Sequence, residues 1–382
     1  MKVLYIHTYY KEKGGEDIVF ETEKVKMQQN GITIKSLDFN NSGYTFFKVL
    51  LYHFNIFSYF RVIRSIRYFK PDIIHIHNMH FAASPAVIWA ASFCKVPIVM
   101  TLHNYRLICP SGILYHNGEL YLDSLKVNFP WEAVKKRVYK NSFLLSFWLA
   151  SSMWMHKKLS TWKKIKKFII LTDFAKNIYL QANIGISKTQ IMVKPNFIIH
   201  SASTDIVHKS GFVYVGRLSE EKGIDTLIEA YRQSPFNLTI IGNGALRKHV
   251  QTFVKANPQV KYLGFQDNLV VQKILSSASV LLFTSKSFEG MPMTIIESLA
   301  NGTAVIASAL GNIPAIISHN YNGLLYKPGD AADLATKIND WQLMNAETQN
   351  RFYKNAYETY QNRFTPEINS QQILAIYKDV LG

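Results

Sequence analysis

Two pairs of charged residues in the second half of the sequence have the types and spacing to bind an anionic ligand. Arg217 and Lys222 bracket a turn that follows a short run of Phe, Val and Tyr. A planar guanidinium and a compact ammonium suit a diphosphate that gains charge as a bond to it breaks. Glu289 lies in a glycine-containing loop, and Glu297 lies eight residues later in a predicted helix. We expect Glu289 to reach a ligand and Glu297 to bind vicinal hydroxyls such as those of a ribose. Surface ion pairs are the alternative explanation for each residue taken alone.

Glycines and histidines mark further positions in the first half. Gly14-Gly15 lies between a predicted strand and a helix, where glycine lets the backbone approach a phosphate; a plain turn is the alternative. His75 and His77 alternate on a strand and could both ligate a metal, but no motif places a third ligand. We therefore predict no metal site. His103 ends another predicted strand at the same edge of the sheet.

Alternating strands and helices must position these residues. The predicted strands are Lys2–His7, Ile32–Asp38, Ile73–His77, Pro97–His103, Gly211–Leu218, Asn237–Gly242, Val260–Phe265, Ser279–Thr284 and Thr303–Ser308. The predicted helices include Glu16–Asn30, Ala83–Cys94, Ile224–Tyr231, Ala245–Ala256, Asn268–Ser276, Thr294–Ala300 and Ala331–Leu343. Apolar strands that alternate with helices are typical of doubly wound α/β domains. We expect two Rossmann-like domains, with the strand ends of both facing a central cleft where such sheets bind ligands.

Three further segments complete this organisation. The pattern restarts after the polar stretch 201–210, so residues 1–200 and 201–360 are the predicted domains. The segments Tyr44–Phe69 and Phe129–Phe168 are aromatic and basic at helical spacing, and we interpret them as inserted helices. Near the C-terminus a helix with an apolar stripe is predicted from Pro366 onwards.

Composition excludes several classes of protein. With 382 residues, 48% of them apolar and 18% charged, the chain predicts a folded two-domain protein. Its two cysteines give no disulfide framework, which fits a reducing compartment. We expect no signal peptide at the N-terminus and no membrane-spanning helix, since the longest apolar stretches are too short or too interrupted. A cytoplasmic location follows as an expectation.

The net charge of +17 is concentrated in the first half of the chain. Residues 1–200 carry 27 basic and 11 acidic side chains, whereas 201–382 are nearly neutral. Within 126–167 there are 11 basic side chains and one acidic residue, Glu132, interleaved with Trp and Phe. This composition favours contact with an anionic membrane surface, although a solvated charged face over core aromatics is the alternative. Nucleic acid is not expected as a partner, because no base-reading module accompanies the segment.

Six short motifs occur together in one order along the chain. They are Gly14-Gly15, Asp72–His77, Thr101–Asn104, Gly216-Arg217 with Glu221–Gly223, Ile241–Gly244, and the pair Glu289 and Glu297 ending in Ala300–Gly302. With these motifs the sequence resembles the GT4-type retaining glycosyltransferases of the GT-B fold, in their polysaccharide and lipopolysaccharide biosynthesis branch. Many relatives have Glu-Gly-Phe-Gly where this chain has Glu289-Gly290-Met291-Pro292.

The resemblance implies roles for individual residues. His103 would lie under the transferred sugar at the reacting centre, and Glu289 would contact the hydroxyls of that sugar. Arg217 and Lys222 would hold the donor diphosphate, Gly15 would close over it, and Glu297 would bind the ribose. The complete implied donor-binding set is Gly14, Gly15, Arg217, Lys222, Gly242, Asn243, Gly244, Gly264, Phe265, Gly290, Met291, Pro292, Thr294, Ile295 and Glu297.

The same resemblance implies substrates and a location. The enzyme would move a hexose-type sugar from a UDP- or GDP-linked donor to a glycan or polyprenyl-diphosphate-linked acceptor, as a peripheral protein on the inner face of the plasma membrane. No cofactor is expected, and no metal, because no Asp-x-Asp occurs and protein cations would neutralise the diphosphate. The C-terminal helix, about 361–382, would cross back to the first domain. A sugar-nucleotide 2-epimerase of the same fold and a non-catalytic basic membrane-binding protein are the alternatives.

Overall fold

The protein is described by a computed structural model that covers residues 1–10, 14–41, 50–200 and 209–382. Those residues separate into two compact units. Unit 1 comprises 1–116, 121–196 and 366–382, and unit 2 comprises 117–120 and 197–365. The boundaries predicted from the sequence follow residues 200 and 360.

Unit 1 is built on a parallel sheet. Within the described residues its six strands are ordered β2-β1-β3-β4-β7-β8. These strands are β1 (Lys2–Tyr9), β2 (Thr33–Asn40), β3 (Ile73–Ile76), β4 (Ile98–Leu102), β7 (Lys167–Ile170) and β8 (Ile191–Val193). Each neighbouring pair runs parallel. Two short strands, β5 (Tyr115–His116) and β6 (Glu119–Leu120), lie outside this sheet.

Helices follow the strands of unit 1 along the chain. They are α1 (Gly15–Gln29), α2 (Ile56–Phe69), α3 (Ala86–Phe93), α4 (Trp131–Lys135), α5 (Phe143–Lys158) and α6 (Asp173–Gln181). One-turn 3₁₀ helices occupy Thr161–Lys164 and Lys188–Gln190. All the residues of β3 and β4 are buried, as expected of central strands that are covered on both faces.

Unit 2 repeats this architecture. Its described residues form a parallel sheet ordered β11-β10-β9-β12-β13-β14. The strands are β9 (Phe212–Val215), β10 (Leu238–Ile241), β11 (Val260–Gly264), β12 (Val280–Phe283), β13 (Ala304–Ser308) and β14 (Gly323–Tyr326). The helices are α7 (Ile224–Gln233), α8 (Arg247–Lys255), α9 (Asn268–Ser277), α10 (Met293–Ala300), α11 (Ile313–Ile316), α12 (Ala331–Leu343) and α13 (Ala346–Arg363), with a 3₁₀ turn at Glu220–Lys222.

Two Rossmann-like parallel sheets were predicted, and the structure shows them. The interpretation of Phe129–Phe168 as inserted helices is wrong at its C-terminal end, because residues 167–170 form β7, which lies between β4 and β8 in the unit 1 sheet. The remainder divides into α4, α5 and a 3₁₀ turn. Residues 44–49 of the other predicted insert lie outside the described residues, and so do 201–208 of the predicted linker.

The last helix, α14 (Pro366–Leu381), belongs to unit 1. Its buried residues Ile373, Ile376 and Tyr377 share a core cluster with Val3 and Tyr5 of β1. The Tyr377 hydroxyl donates to the Tyr5 hydroxyl at 3.1 Å. The return of the C-terminal helix to the first domain is therefore as predicted.

Among residues 1–10, 14–41, 50–200 and 209–382, we find no helix that combines the length and the apolar character needed to cross a bilayer.

The docking of α14 generates a stability prediction. Ile373 is fully buried, so Ile373→Ala should lower the free energy of unfolding by about 2–4 kcal/mol, measured by urea denaturation followed by circular dichroism. Leu381→Ala, at the exposed end of the same helix, serves as the control and should change it by less than about 0.5 kcal/mol. Equal effects of the two variants would show that α14 is not held by this core.

Candidate functional site

The carboxyl ends of four unit 2 strands gather most of the predicted donor-binding residues. Arg217 follows β9, Gly242 follows β10, Gly264 ends β11, and Glu289 lies in the loop after β12. These strands are neighbours in the order β11-β10-β9-β12 and run parallel, so their carboxyl ends lie at one edge of the sheet. Parallel α/β sheets bind ligands at this edge.

Glycines allow the loops at this edge to pack backbone against backbone. Gly242 has a φ of 141°, and a Cβ added there would lie 1.8 Å from the Gly216 carbonyl oxygen. A Cβ on Gly244 would lie 2.3 Å from the Leu218 carbonyl oxygen. The amide of Leu218 also donates to the carbonyl of Asn243 at 2.9 Å. The loop of residues 242–244 thus lies directly against the turn that carries Arg217.

Lys222 and Glu289 form a half-buried ion pair. The Lys222 Nζ lies 2.6 Å from Glu289 Oε1, and the Ser285 hydroxyl donates to the same oxygen at 2.6 Å. Two further bonds hold the two loops together: Thr284 Oγ1 donates to the Lys222 carbonyl, and the Lys286 amide donates to the Glu221 carbonyl, both at 2.8 Å. The cation and the carboxylate are therefore preorganised by the backbone on either side of them.

Arg217 differs from Lys222 in being exposed. Its side chain is 68% accessible, and its Nη1 atom lies 3.8 Å from Glu221 Oε1. An exposed pair at this distance contributes little to stability. The Arg217 guanidinium is consequently available for an external anion.

The second carboxylate, Glu297, lies in α10 and is partly buried. Burial raises the pKa of Glu297, while a hydrogen bond donated by Asn268 at 3.0 Å opposes that shift. Thr294 and Ile295 lie in the first turn of α10, and Pro292 is its N-cap residue. Met291 and Pro292 are buried, and the side chain of Asn312 donates to the Gly290 carbonyl at 3.0 Å. Phe265, which the resemblance includes in the donor-binding set, is strongly exposed.

In unit 1, Gly14 is the N-cap residue of α1 and Gly15 is its first helical residue, and both are exposed. Asp17 holds this loop: its Oδ2 accepts from the Gly14 amide at 3.0 Å, and its Oδ1 lies 2.7 Å from His7 Nε2. The preceding residues 11–13 lie outside the described residues. The glycine pair is thus fixed to the end of β1 through a buried histidine.

His103 follows β4 and is partly buried, with its Nε2 atom enclosed. Its ring stacks on His77, with ring centroids 5.8 Å apart and planes at 22°. Burial and the neighbouring His77 lower the pKa of His103 well below its usual value. A neutral imidazole is therefore the state of His103 near pH 7.

Behind His103 lies a buried polar cluster made of Glu23, His75, His77 and Lys194. Glu23 Oε1 lies 3.2 Å from His77 Nε2 and 3.7 Å from His75 Nδ1, and Glu23 Oε2 accepts from Lys194 Nζ at 2.9 Å. Burial alone would raise the pKa of Glu23, but the Lys194 ammonium, together with His77 and His75, holds that pKa well below its usual range.

No sequence motif places a third ligand beside His75 and His77, but in the structure Glu23 is close enough to be one. However, His75 already bonds the hydroxyls of Tyr377 at 2.7 Å and Thr101 at 2.8 Å. The Lys194 ammonium also supplies the positive charge that Glu23 requires. We interpret the cluster as an internal ion pair, and the absence of a metal here stays a prediction.

Glu16 was not singled out from the sequence, although it follows the glycine pair directly. Burial and the charge of Asp17 raise the pKa of Glu16 to about 8, against the opposing effects of Arg106 and a hydrogen bond from Asn104. Asn104 also accepts from the Arg106 amide at 3.0 Å. Glu16 and Asn104 therefore link the loop after β1 to the loop after β4, next to His103.

Other missed residues had weaker signals in the sequence. Glu23 occupies a position on α1 between the buried residues Phe20 and Met27, and a carboxylate on such an apolar face indicates a buried partner. Ser285 and Asn268 carried no signal, since a serine in a loop and an asparagine at the start of a helix are both ordinary.

Comparison with known families identifies the chain. The model of the glycosyl transferases group 1 matches residues 200–359, and the model of glycosyltransferase family 4 matches residues 39–201. Together they extend over both units. The chain belongs to this family of glycosyltransferases.

Curated relatives agree with that assignment over shorter spans. An uncharacterized glycosyltransferase of Methanocaldococcus jannaschii is 28% identical over 189 residues, which cover 48% of this chain and 53% of that protein. The lipopolysaccharide 1,6-galactosyltransferase of Escherichia coli is 34% identical over 140 residues, 34% of this chain and 39% of the relative. The chain therefore spans about half the length of these relatives or less.

Solved structures match over the whole length. The Anabaena protein HepE, crystallised with UDP and glucose, has a TM-score of 0.71 at 17% identity and covers 99% of this chain and 100% of its own. The lipopolysaccharide outer core galactosyltransferase WaaB has a TM-score of 0.66 at 19% identity, covering 99% and 100%. The fold is GT-B, as predicted.

The buried Glu23–Lys194 pair generates a prediction on stability. Lys194→Met leaves an uncompensated buried carboxylate and should lower the free energy of unfolding by about 3–5 kcal/mol in urea titrations. The double variant Glu23→Gln/Lys194→Met removes both charges and should recover most of that loss. Lys26→Met, which breaks the exposed Lys26–Glu367 pair, is the control and should cost less than about 1 kcal/mol. No recovery in the double variant would contradict a pairing role.

Glu16 generates a prediction on pH dependence. Its folded-state pKa of about 8 lies above the ordinary 4.5, so the stabilisation of the protonated form is lost as pH rises from 4.5 to 8. Glu16→Gln should therefore be more stable than wild type at pH 9, by on the order of 2 kcal/mol, and differ much less at pH 5. Thermal unfolding of both proteins across this range measures the difference. Glu119→Gln, at an exposed carboxyl, is the control; a difference independent of pH would refute the raised pKa.

Proposed function

We propose that this protein is a retaining hexosyltransferase that moves a sugar from a nucleotide-diphosphate donor to a glycan acceptor in the biosynthesis of a cell-surface polysaccharide. The observation that supports this most directly is the Lys222–Glu289 pair, 2.6 Å apart at the carboxyl edge of the unit 2 sheet, next to the exposed Arg217. One carboxylate for sugar hydroxyls and two cations for a diphosphate are the groups that this chemistry requires.

In the proposed reaction the bond between the anomeric carbon and the diphosphate breaks while a bond to the acceptor hydroxyl forms. The hydroxyl proton is released to the leaving diphosphate or to solvent. Negative charge therefore develops on the diphosphate, where Arg217, Lys222 and the first-turn amides of α10 stabilise it. These groups would neutralise the leaving group without a metal ion.

The two proposed catalytic residues, Glu289 and His103, differ in charge and would contact the donor sugar in different ways. Glu289 holds Lys222 and Ser285 on one oxygen, Oε1, and would bind the hydroxyls of the donor sugar. His103 is neutral, so it would hydrogen-bond the reacting sugar without adding a competing positive charge next to the diphosphate. Glu297, which lies in α10, would bind the ribose.

The relatives support the choice of donor and acceptor. One is named a lipopolysaccharide 1,6-galactosyltransferase, another is the amylovoran biosynthesis glycosyltransferase AmsK of Erwinia amylovora, and HepE was crystallised with UDP and glucose. We therefore propose a UDP-linked hexose as donor, with a GDP-linked one as the alternative.

A lipid-linked acceptor would require the enzyme to work at a membrane. We propose that it is a cytoplasmic peripheral protein and that residues 126–167 contact the anionic inner leaflet. In this segment Trp131, Phe143 and Trp154 are exposed, whereas Trp162 is buried. The exposed aromatic residues lie beside Lys135, Lys136 and Lys158, which are also exposed. This combination suits the interfacial region of a bilayer.

Removing the proposed diphosphate cations tests the function. Arg217→Gln and Lys222→Met should each weaken binding of UDP by about 10- to 100-fold, since a hydrogen bond to a charged group is worth about 1.5–3 kcal/mol. Isothermal titration calorimetry with UDP, and with GDP in parallel, measures this. Arg232→Gln removes an exposed arginine of α7 that pairs with Glu229 and should leave binding unchanged.

Two outcomes would reject the proposal. Unchanged UDP and GDP affinity in both variants would exclude the assigned diphosphate site. Conversion of a nucleotide sugar to its epimer without any acceptor would select the epimerase instead. Because Lys222→Met leaves Glu289 without its cation, the double variant Lys222→Met/Glu289→Gln shows whether a loss of affinity reflects the missing cation or a disturbed loop.

A further inference from the structure

Helix α2 presents an outer face of aromatic and arginine side chains that nothing in the described structure covers. Phe57 is 73% exposed, Phe60 61% and Tyr68 75%, and Arg61 and Arg64 are exposed between them. Arg67 is exposed as well. Counted from Phe57, the other five residues follow at three, four, seven, ten and eleven positions, which places all six on one side of the helix. We call this surface the α2 face.

The opposite side of α2 is firmly packed. Val62 and Ile66 are buried, and the helix packs against α3. Its first turn is capped by Asn55, whose side chain accepts from the Phe57 amide at 3.0 Å and donates to the Ala82 carbonyl at 2.8 Å. The α2 face is therefore held on a fixed helix, and its aromatic exposure is not that of a frayed segment.

The charge of the surface identifies the kind of partner. No acidic residue occurs between Leu50 and Pro71, whereas Arg61, Arg64 and Arg67 are all exposed. The Arg64 guanidinium lies 5.7 Å from the centre of the Tyr68 ring, a mixed apolar and cationic pair. A second copy of the chain would place arginines against arginines across a two-fold axis, which is unfavourable. An anionic lipid headgroup layer over an apolar interior matches both the arginines and the aromatic rings.

We propose that the α2 face docks onto an anionic lipid bilayer, with Phe57, Phe60 and Tyr68 at the headgroup boundary and Arg61, Arg64 and Arg67 on the lipid phosphates. This inference rests on the membrane location in the proposed function, but its residues are separate from 126–167. The two surfaces are connected in unit 1, because the His53 ring next to α2 contacts the Trp148 ring of α5 with centroids 4.1 Å apart. If α2 lies in the plane of the membrane interface, it would therefore enlarge the membrane contact that residues 126–167 make.

Vesicle binding by the full-length protein tests this assignment. The measurement is co-sedimentation with vesicles of phosphatidylcholine and phosphatidylglycerol, compared with phosphatidylcholine alone. Two variants divide the α2 face: Phe57→Ser/Phe60→Ser/Tyr68→Ser removes the aromatic rings, and Arg61→Gln/Arg64→Gln/Arg67→Gln removes the charges. Each should bind the anionic vesicles at least about tenfold more weakly than wild type.

A matched control distinguishes an effect of the α2 face from a general effect of the protein's net charge. Lys248→Gln/Lys255→Gln/Lys261→Gln removes three exposed cations from unit 2 and should leave vesicle binding unchanged. Wild-type affinity in both α2 variants would overturn the proposal, and so would a wild-type dimer that the aromatic variant converts to a monomer. UDP affinity is measured on wild type and on every variant. The α2 variants should bind UDP as tightly as wild type. If wild type itself does not bind UDP, that result counts against the proposed function and leaves the α2 assignment intact.

Discussion

The parallel direction of the strands is the constraint on which the candidate site depends. In a parallel sheet every carboxyl end falls on the same edge, and each crossover helix begins there with its unpaired amides. Residues far apart in sequence, such as Arg217 and Glu289, therefore meet at one edge of unit 2 without any local signal that pairs them. The same rule gathers Gly14 and His103 at the edge of the unit 1 sheet. The direction of the short apolar strands thus determines which edge of the sheet can hold a binding site, whichever polar side chains line it.

Two ion pairs with similar geometry have opposite consequences because they differ in burial. Lys194 and Glu23 are both enclosed, so their charges neutralise each other permanently and stabilise the layer behind His77 and His103. Lys222 and Glu289 are only half-buried, and their contact adjoins the exposed Arg217. In the proposed function, a dianionic ligand at that edge would compete with Glu289 for Lys222, because solvent reaches this pair, whereas it does not reach Lys194 and Glu23. The accessible pair can exchange partners, whereas the enclosed pair cannot.

The sequence predicted both sheets and most strand positions, since their apolar runs are local features. It missed β7, β8 and β14, because Lys167–Ile170 follows a dense basic stretch, and Ile191–Val193 and Gly323–Tyr326 are very short. It named Arg217, Lys222, Glu289 and Glu297 through their motifs, and the structure brings Lys222 and Glu289 into contact. The hydrogen-bond partners of these residues could not be predicted from the sequence. Asn268 donates to Glu297 from a different helix, and Ser285 donates to Glu289 from a loop whose conformation no short motif indicates. The relation of Glu23 to His75 and His77 likewise depends on which side of α1 faces the sheet.

Charge along the sequence and charge on a surface are different quantities in this protein. The segment 126–167 has the densest run of cations, yet Lys135 and Lys136 pair with Glu132 and Asp123, and Lys167 enters a strand and pairs with Asp379. Helix α2 carries only three arginines, but the helical period brings them to one side together with three exposed aromatic rings. The strength of membrane binding depends on how many cationic and aromatic side chains face the bilayer together. For that reason the periodicity of a packed helix matters more than the length of a basic run in the sequence. The sequence contained that period, but the packing of Val62 and Ile66 was needed to show which side of α2 points outward.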